Sequence, residues 1–174
     1  MSIYDTEPRG IFTCRSCGEC CGGNGGIVLR ARDSERLAAF FGFTVSEFHA
    51  KFADRVRGKF QLTCKQDGAC VFYSEGARCV VHPAKPDVCR TWPFFRGNLM
   101  DPVSLAMAGQ GCSGIAEGVD FAAFSQAGAR YLLDWGLFIL PDETAYPLSM
   151  MHENELRQLA GANGAGQTND GEVQ

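Results

Sequence analysis

The sequence predicts an α+β fold, a small and loop-rich domain with several short strands and about four to five helices. Hydrophobic residues make up 45% of the 174 residues, which is enough to bury a core of ordinary size. Short alternating segments lie near the middle of the chain, and helical spacing of apolar residues dominates on either side. We expect one domain over residues 1–160 and a disordered, glycine-rich tail over residues 161–174.

A short strand and a helix are predicted to follow the glycine-rich residues 22–26. Ile-Val-Leu at residues 27–29 is typical of a short strand. Asp33 can then cap a helix over residues 34–41. Gly42 would end this helix, because glycine readily adopts the left-handed conformation found there.

The next helix has a clearer start. Thr44 and Glu47 have the spacing of a capping box. Its apolar face is predicted to consist of Val45, Phe48, Phe52 and Val56. The predicted helix therefore extends as far as Val56.

Three short strands are predicted in the middle of the chain. Apolar and polar residues alternate over residues 59–64, which is the pattern of a half-buried strand. Residues 70–73 and 79–81 are rich in valine and aromatic residues. We expect these two segments to form a hairpin around a turn at residues 74–78.

Helices are predicted for the remainder. A short one within residues 86–93 begins and ends with prolines and carries Cys89 and Arg90. Apolar residues recur at helical spacing over residues 120–135, which indicates a long amphipathic helix packed over the cysteine-rich part. A shorter helix is predicted to start near His152.

Charge and hydropathy restrict the functional class. The formal net charge of −4 argues against a general polyanion binder, since nucleic-acid binding relies on excess positive charge. The N-terminal residues lack the apolar stretch of a signal peptide, and no apolar run approaches the roughly 18 residues that span a bilayer. We expect a cytoplasmic protein with no nucleic-acid or membrane partner.

Nine cysteines, all between Cys14 and Cys112, are the main functional signal. In a reducing cytoplasm such thiols rarely persist as disulfides and more often bind metals. The run Cys14-x-x-Cys17-x-x-Cys20-Cys21 can direct several sulfurs to one metal, or wrap a larger object such as an iron–sulfur cube. Eight metal ligands are predicted: Cys14, Cys17, Cys20, Cys21, Cys70, Cys79, Cys89 and Cys112.

The number of sites is open at this point. Adjacent side chains tend to diverge, so Cys20 and Cys21 are expected to serve two sites or different atoms of one cluster. Eight thiols suffice for two four-thiolate sites, or for one cluster and a separate zinc. Cys64 is a ninth thiol, which we interpret as a small buried side chain on an apolar strand face. Thiol exchange through a C-x-x-C pair is the alternative use of the run.

Two further residues are weaker candidates. His82 stands three residues after Cys79, and it is either a ligand, a hydrogen-bond donor to a thiolate or a simple turn residue. Arg90 is a candidate for offsetting the charge of a cluster. The glycines at residues 22–26 are not followed by Gly-Lys-Ser/Thr and so do not indicate a phosphate loop.

The cysteines and their neighbours resemble those of the CxxCxxCC, or YkgJ-type, cysteine cluster family over about residues 11 to 116. The matching motifs are Cys14-x-x-Cys17-Gly18-x-Cys20-Cys21, Cys70-Val-Phe, Cys79-Val-Val-His, Lys85-Pro86-x-x-Cys89-Arg90-Thr-Trp-Pro93-Phe94 and Cys112-Ser-Gly. The chain departs from the family at residues 82–86, where the family more often has a tyrosine and an arginine before the proline. Cys64 is also additional.

The resemblance implies binding of zinc or iron and no settled reaction. A related motif in flagellin lysine N-methylases is associated with an iron–sulfur cluster, which favours iron. We therefore expect a metal-binding protein with an iron–sulfur cluster, for example 4Fe–4S, in a redox or accessory role for a protein partner. The alternatives are a structural zinc module that mediates protein interaction and a metal-dependent enzyme related to protein lysine methylation.

Overall fold

The computed structural model describes residues 7–22, 26–76, 78–144 and 146–161. Within these ranges it contains seven α-helices and two antiparallel sheets of two strands each, which confirms the α+β class. The predicted tail lies outside the described residues from position 162 onward.

Helix α1 spans Ala31–Phe41 and begins three residues before its predicted start. Arg30 is its N-cap, and the Asp33 carboxylate accepts a hydrogen bond from the Arg30 backbone N–H at 3.1 Å. Asp33 therefore lies inside the helix, at its third position, and completes the capping motif from there. The prediction had placed Asp33 at the N-cap itself. Gly42 ends the helix with φ 71°, as predicted.

Helix α2 spans Val45–Phe52, and its capping box is confirmed. The Thr44 hydroxyl accepts from the Glu47 N–H at 3.2 Å, and the Glu47 carboxylate accepts from the Thr44 N–H at 2.8 Å. The predicted extension to Val56 is wrong. Strand β1, Ala53–Val56, follows at once, because Arg57 and Gly58 both have positive φ and turn the chain into a hairpin.

The two sheets are small hairpins. Strand β2, Lys59–Leu62, pairs with β1, and Val28 adds an isolated bridge to Gln61 in place of a full strand at residues 27–29. The predicted second hairpin is present but shorter, with β3 at Tyr73–Ser74 and β4 at Arg78–Cys79.

The second half of the chain is helical. Helix α3 is Asp87–Thr91, with Pro86 as its N-cap, and the long predicted helix is α6, Phe121–Asp134. The short C-terminal helix α7 is Glu153–Leu159. Two helices had no predicted counterpart, α4 at Arg96–Met100 and α5 at Pro102–Gly111.

Buried apolar side chains form two separate clusters. The helical cluster contains Phe12, Phe94, Leu99, Leu105, Cys112, Phe124, Ala129, Leu132, Leu137, Met151, Leu156 and Ala160. The aromatic cluster contains Leu29, Leu37, Ala38, Phe48, Leu62, Phe72, Val81 and Ala84, with further phenylalanines packed against it. The cysteines divide between them, since Cys14 packs on the helical cluster while Cys70 and Cys79 pack on the aromatic one.

A buried ionic network connects α1 to α3. Arg30 and Asp87 are each 1% exposed, and they form an ion pair at 3.0 Å. Asp33 accepts from the Asp87 backbone N–H at 2.9 Å, and Arg36 binds both carboxylates. Arg32 also pairs with Asp87. Each buried charge therefore has a partner of opposite sign, which is the condition for tolerating it in a core.

The same network reaches the chain that follows α6. Arg30 donates to the Phe138 carbonyl at 2.9 Å and pairs with Glu143. Arg32 donates to the Gly136 carbonyl at 2.6 Å. Because α1 belongs to the aromatic cluster and residues 136–138 flank the helical one, these contacts hold the two clusters together.

We expect Asp87→Asn to lower the free energy of unfolding by about 3 kcal/mol, because it removes the buried carboxylate that Arg30, Arg32 and Arg36 share. Urea unfolding of the reduced protein measures the change. The matched control is Asp101→Asn at the exposed N-cap of α5, where asparagine caps as well as aspartate and the change should stay within about 0.5 kcal/mol. Equal losses in the two variants would contradict a special role for the network.

Candidate metal centre

One cavity of about 470 Å³ lies among the cysteines. All eight predicted ligands line it: Cys14, Cys17, Cys20, Cys21, Cys70, Cys79, Cys89 and Cys112. Its wall takes residues from both core clusters, for example Phe12 from the helical one and Leu62 from the aromatic one. The fold thus collects at one place thiols that are up to about a hundred residues apart in the sequence.

The first cysteine run is shaped by Gly18. A 3-10 turn, Glu19–Cys21, follows this glycine, which has φ 93°. A Cβ at Gly18 would lie 2.3 Å from the Tyr73 ring, so no other residue fits without moving that ring. The Cys21 carbonyl then accepts from the Cys70 N–H at 2.8 Å, which attaches the first run to the second set of cysteines.

A short backbone pairing positions Cys14 and Cys112, and a helix positions Cys89. The Thr13 N–H donates to the Gly114 carbonyl at 2.9 Å, beside the isolated bridge between Phe12 and Ile115. This pairing brings Cys14 alongside Cys112, which is buried at 8% exposure. A Cβ at Gly114 would lie 2.5 Å from the Thr13 carbonyl oxygen, which explains the glycine in the Cys112-Ser-Gly motif. Cys89 is supplied by α3.

Cys20 and Cys21 both belong to the 3-10 turn, and both line the cavity. The neighbouring Cys21 thiol lowers the pKa of Cys20 to about 6, while the pKa of Cys21 is raised. The prediction assumed the alternation of an extended strand, whereas three residues per turn in a 3-10 turn leave successive side chains on neighbouring faces. Adjacency therefore does not by itself divide the thiols between two sites.

The other thiols are influenced by burial and by one another. Burial raises the pKa of Cys70 and of Cys79, and it raises that of Cys89 well above the usual value. Neighbouring thiolates add to each shift, with Cys20 acting on both Cys79 and Cys89. The thiols thus act on one another across the cavity that they line.

No ready-made single-ion geometry occurs in the described part of the chain. Among those residues, no group of three His, Cys, Asp or Glu side chains is arranged to hold one metal ion. The thiols instead surround a volume. Thiolate is the donor that zinc and iron–sulfur clusters share, so the donor set fits either group.

Cys64 lies outside the wall of this cavity. It faces Cys70 across an isolated bridge, and its side chain is exposed. The interpretation of Cys64 as a buried small side chain is therefore wrong, because β2 ends at Leu62 and the chain leaves the sheet before Cys64.

His82 and Arg90 are placed beside the centre. His82 opens a 3-10 turn, His82–Ala84, and does not line the cavity. Arg90 lies over the Trp135 ring at 5.4 Å and within 3.9 Å of Asp87, and it lines a second cavity of about 40 Å³ behind the thiols. Its interactions connect α3 to the end of α6.

Sequence reasoning missed two charged residues of the centre, Glu7 and Lys85. Glu7 accepts a hydrogen bond from the Cys14 N–H at 2.8 Å, and burial raises the pKa of its carboxyl. The Lys85 amine lies 4.0 Å from the Cys14 sulfur and lines both cavities. The signal for Lys85 was its place directly before Pro86 in the family motif, whereas Glu7 belongs to no motif.

Exposed apolar side chains near the thiols belong to α5 and not to α6. Within the described residues, no large hydrophobic side chain of α6 is exposed. Val103 and Met107 of α5 are exposed instead, at 64% and 67%. Met107 also lines the large cavity, so this apolar surface adjoins the thiols.

Eight thiols around one cavity define a cysteine-cluster protein. The chain belongs to the CxxCxxCC family, described as "Putative zinc- or iron-chelating domain", whose model matches residues 13–113 and thus more than half of the chain. This confirms the resemblance and supports chelation of zinc or iron. No solved structure matches the chain. In the described ranges, none of the helices combines the length and apolarity needed to cross a membrane.

We expect acid to destabilise the protein through His82. Burial, and then the charge of Lys85, lowers the pKa of His82 to about 4 from an ordinary 6.5. Between these values the unfolded state binds more protons, so this contribution to stability is complete above pH 6.5 and is lost as the pH falls towards 4. From pH 7 to 5 the wild type should lose roughly 1 kcal/mol more than His82→Asn, allowing for solvent screening of a half-buried side chain.

Unfolding curves of both proteins at several pH values measure this difference. Burial, and then Asp87, raises the pKa of Asp33 to about 6, which acts in the opposite direction, but Asp33 is present in both proteins and cancels. Parallel pH profiles for the wild type and His82→Asn would show that His82 does not contribute.

Proposed function

We propose that four of the eight cavity thiols hold an iron–sulfur cluster that serves a redox or accessory role, with the other four available for a second metal site. The observation that carries the proposal is that all eight sulfurs line one cavity of about 470 Å³ while no three donors in the described residues are arranged around a single ion. A mononuclear zinc site is built by four ligands that converge on a point. A cluster occupies a volume and is bound from several directions.

The exposure of some of the thiols supports a role in electron transfer to or from a partner. Cys17 and Cys20 are exposed, whereas Cys89 is half-buried and Cys112 is buried. A group held here would be reached from the side of the first cysteine run. When bound, an iron–sulfur cluster supplies one-electron transfer, with a potential that depends on its charge and solvent exposure.

The surroundings of the cavity agree with this role. Trp92, Phe95 and Met107 contribute apolar side chains to the cavity wall. Such surroundings limit water at the thiolates and lower the local dielectric constant. We further propose a reducing, cytoplasmic location, since all nine cysteines are free thiols. A protein or redox partner would approach the exposed cysteine run.

Metal analysis tests the proposal directly. The protein is purified without oxygen, its iron, zinc and acid-labile sulfide are determined, and its visible absorption is recorded. We expect a brown protein with iron and sulfide in stoichiometric amounts. A colourless protein with stoichiometric zinc would contradict the cluster and indicate a structural zinc centre. A metal-free protein of intact fold would contradict metal binding altogether.

Single thiol replacements should separate wall cysteines from Cys64. We expect Cys89→Ser and Cys17→Ser to lower metal content and unfolding temperature, because each removes a sulfur from the cavity wall. Cys64→Ser is the matched control, an exposed thiol outside the wall that should retain metal and stability. If Cys64→Ser loses as much metal as Cys17→Ser, the ligand set is wrong.

A further inference from the structure

The side-chain amine of Lys85 contacts the thiols. Its nitrogen lies 4.0 Å from the Cys14 sulfur. Both the large cavity and the small one behind it include Lys85 in their walls. Glu7 also lines the small cavity, so the ammonium shares this wall with thiols and with a carboxylate.

The position of Lys85 is fixed by its backbone. Its carbonyl accepts a hydrogen bond from Arg36 at 2.8 Å, and Pro86 follows as the N-cap of α3. The next residue is Asp87, which is held in the ionic network. The backbone of Lys85 is thus fixed, and from there its side chain extends into the walls of both cavities and reaches the Cys14 sulfur.

Lys85 shares the cavity walls with thiols from three segments of the chain. Cys14, Cys20 and Cys89 line both cavities together with Lys85, and Cys79 lines the large one. Lys85 is thus a positive charge placed among thiols that are distant in the sequence.

The other charged groups near the cavity do not substitute for Lys85. Glu19 lines the large cavity but carries the wrong sign. Lys65 donates to the Tyr73 carbonyl and does not line the cavity. Arg90 interacts with the Trp135 ring and with Asp87. Arg15 also lines the large cavity, but it belongs to the exposed cysteine run and no contact of its guanidinium with a sulfur is seen in the described residues.

We propose that Lys85 is a positioning residue which supplies the resident positive charge of the thiol cavity and thereby strengthens metal binding by its thiolates. Several thiolates in one apolar cavity repel one another, and an ammonium 4.0 Å from Cys14 offsets part of this repulsion. The inference rests on the proposed function in that the thiols bind a metal. It holds for zinc and for iron, because both require ionised sulfur.

The test compares the affinities of four proteins for Zn²⁺ alone, by competition with a chelator under reducing, oxygen-free conditions. They are the wild type, Lys85→Met, Lys85→Arg and the control Lys51→Met, whose lysine is exposed on α2 over the Phe43 ring. We expect Lys85→Met to bind about 10–100-fold more weakly, the usual effect of removing a group that supports metal ligands. Lys85→Arg should restore affinity to within a few-fold, and Lys51→Met should bind like the wild type.

Lys85→Gln is measured as a second neutral variant, and circular dichroism with unfolding midpoints verifies that each protein is folded. Loss of affinity in both neutral variants, with rescue by arginine, supports a role of the charge. Wild-type affinity in Lys85→Met would overturn this inference alone, because the thiols would still bind metal. Failure of the wild type to take up Zn²⁺ would overturn both the proposed thiolate centre and the role of Lys85.

Discussion

The fold depends on a buried charge cluster centred on Asp87. The Asp87 carboxylate is 1% exposed and pairs with arginines at the start of α1 and within it. The Asp87 backbone N–H donates a hydrogen bond to the Asp33 carboxylate. Burying so many charges is costly, and the arrangement is tolerated because each carboxylate and guanidinium has several partners. Since Arg30 and Arg32 also bind carbonyls at residues 136 and 138, the cluster joins the segments that carry the two apolar cores. Cys89 lies two residues beyond Asp87, so the same cluster orients α3 and its thiol.

The cysteine centre lies where the two cores meet, and this explains the glycines of its motifs. Neither two-stranded sheet is large enough to be stable alone. Gly18 and Gly114 allow the cysteine run to contact Tyr73 on one side and the backbone at Thr13 on the other. A side chain at either glycine would separate the segments that bring the thiols together. These glycines are therefore part of the candidate metal centre, although they have no side chain that could bind a metal.

Local features of the fold could be predicted from sequence, and features formed by distant residues could not. The capping box of Thr44 and Glu47 and the periodic helix α6 depend only on neighbours within a few residues, and both are present. The start of α1 was misplaced because Arg30, an unusual N-cap, is fixed by partners such as Glu143 more than a hundred residues away. The apolar period that ran to Val56 gave no sign of the turn at Arg57 and Gly58.

The candidate centre could also be predicted only in part from the sequence. The eight cysteines that the spacing and the family motifs indicate all line the cavity, and Cys64 does not. That they bind a metal stays a prediction. The spacing gave no sign of the 3-10 turn that carries Cys20 and Cys21, or of the approach of Lys85 to Cys14. These details decide how much negative charge the cavity can hold. Since the wall takes residues from both apolar cores, a metal bound by the thiols would also bind the cores to each other, and its binding free energy would contribute to the stability of the whole fold.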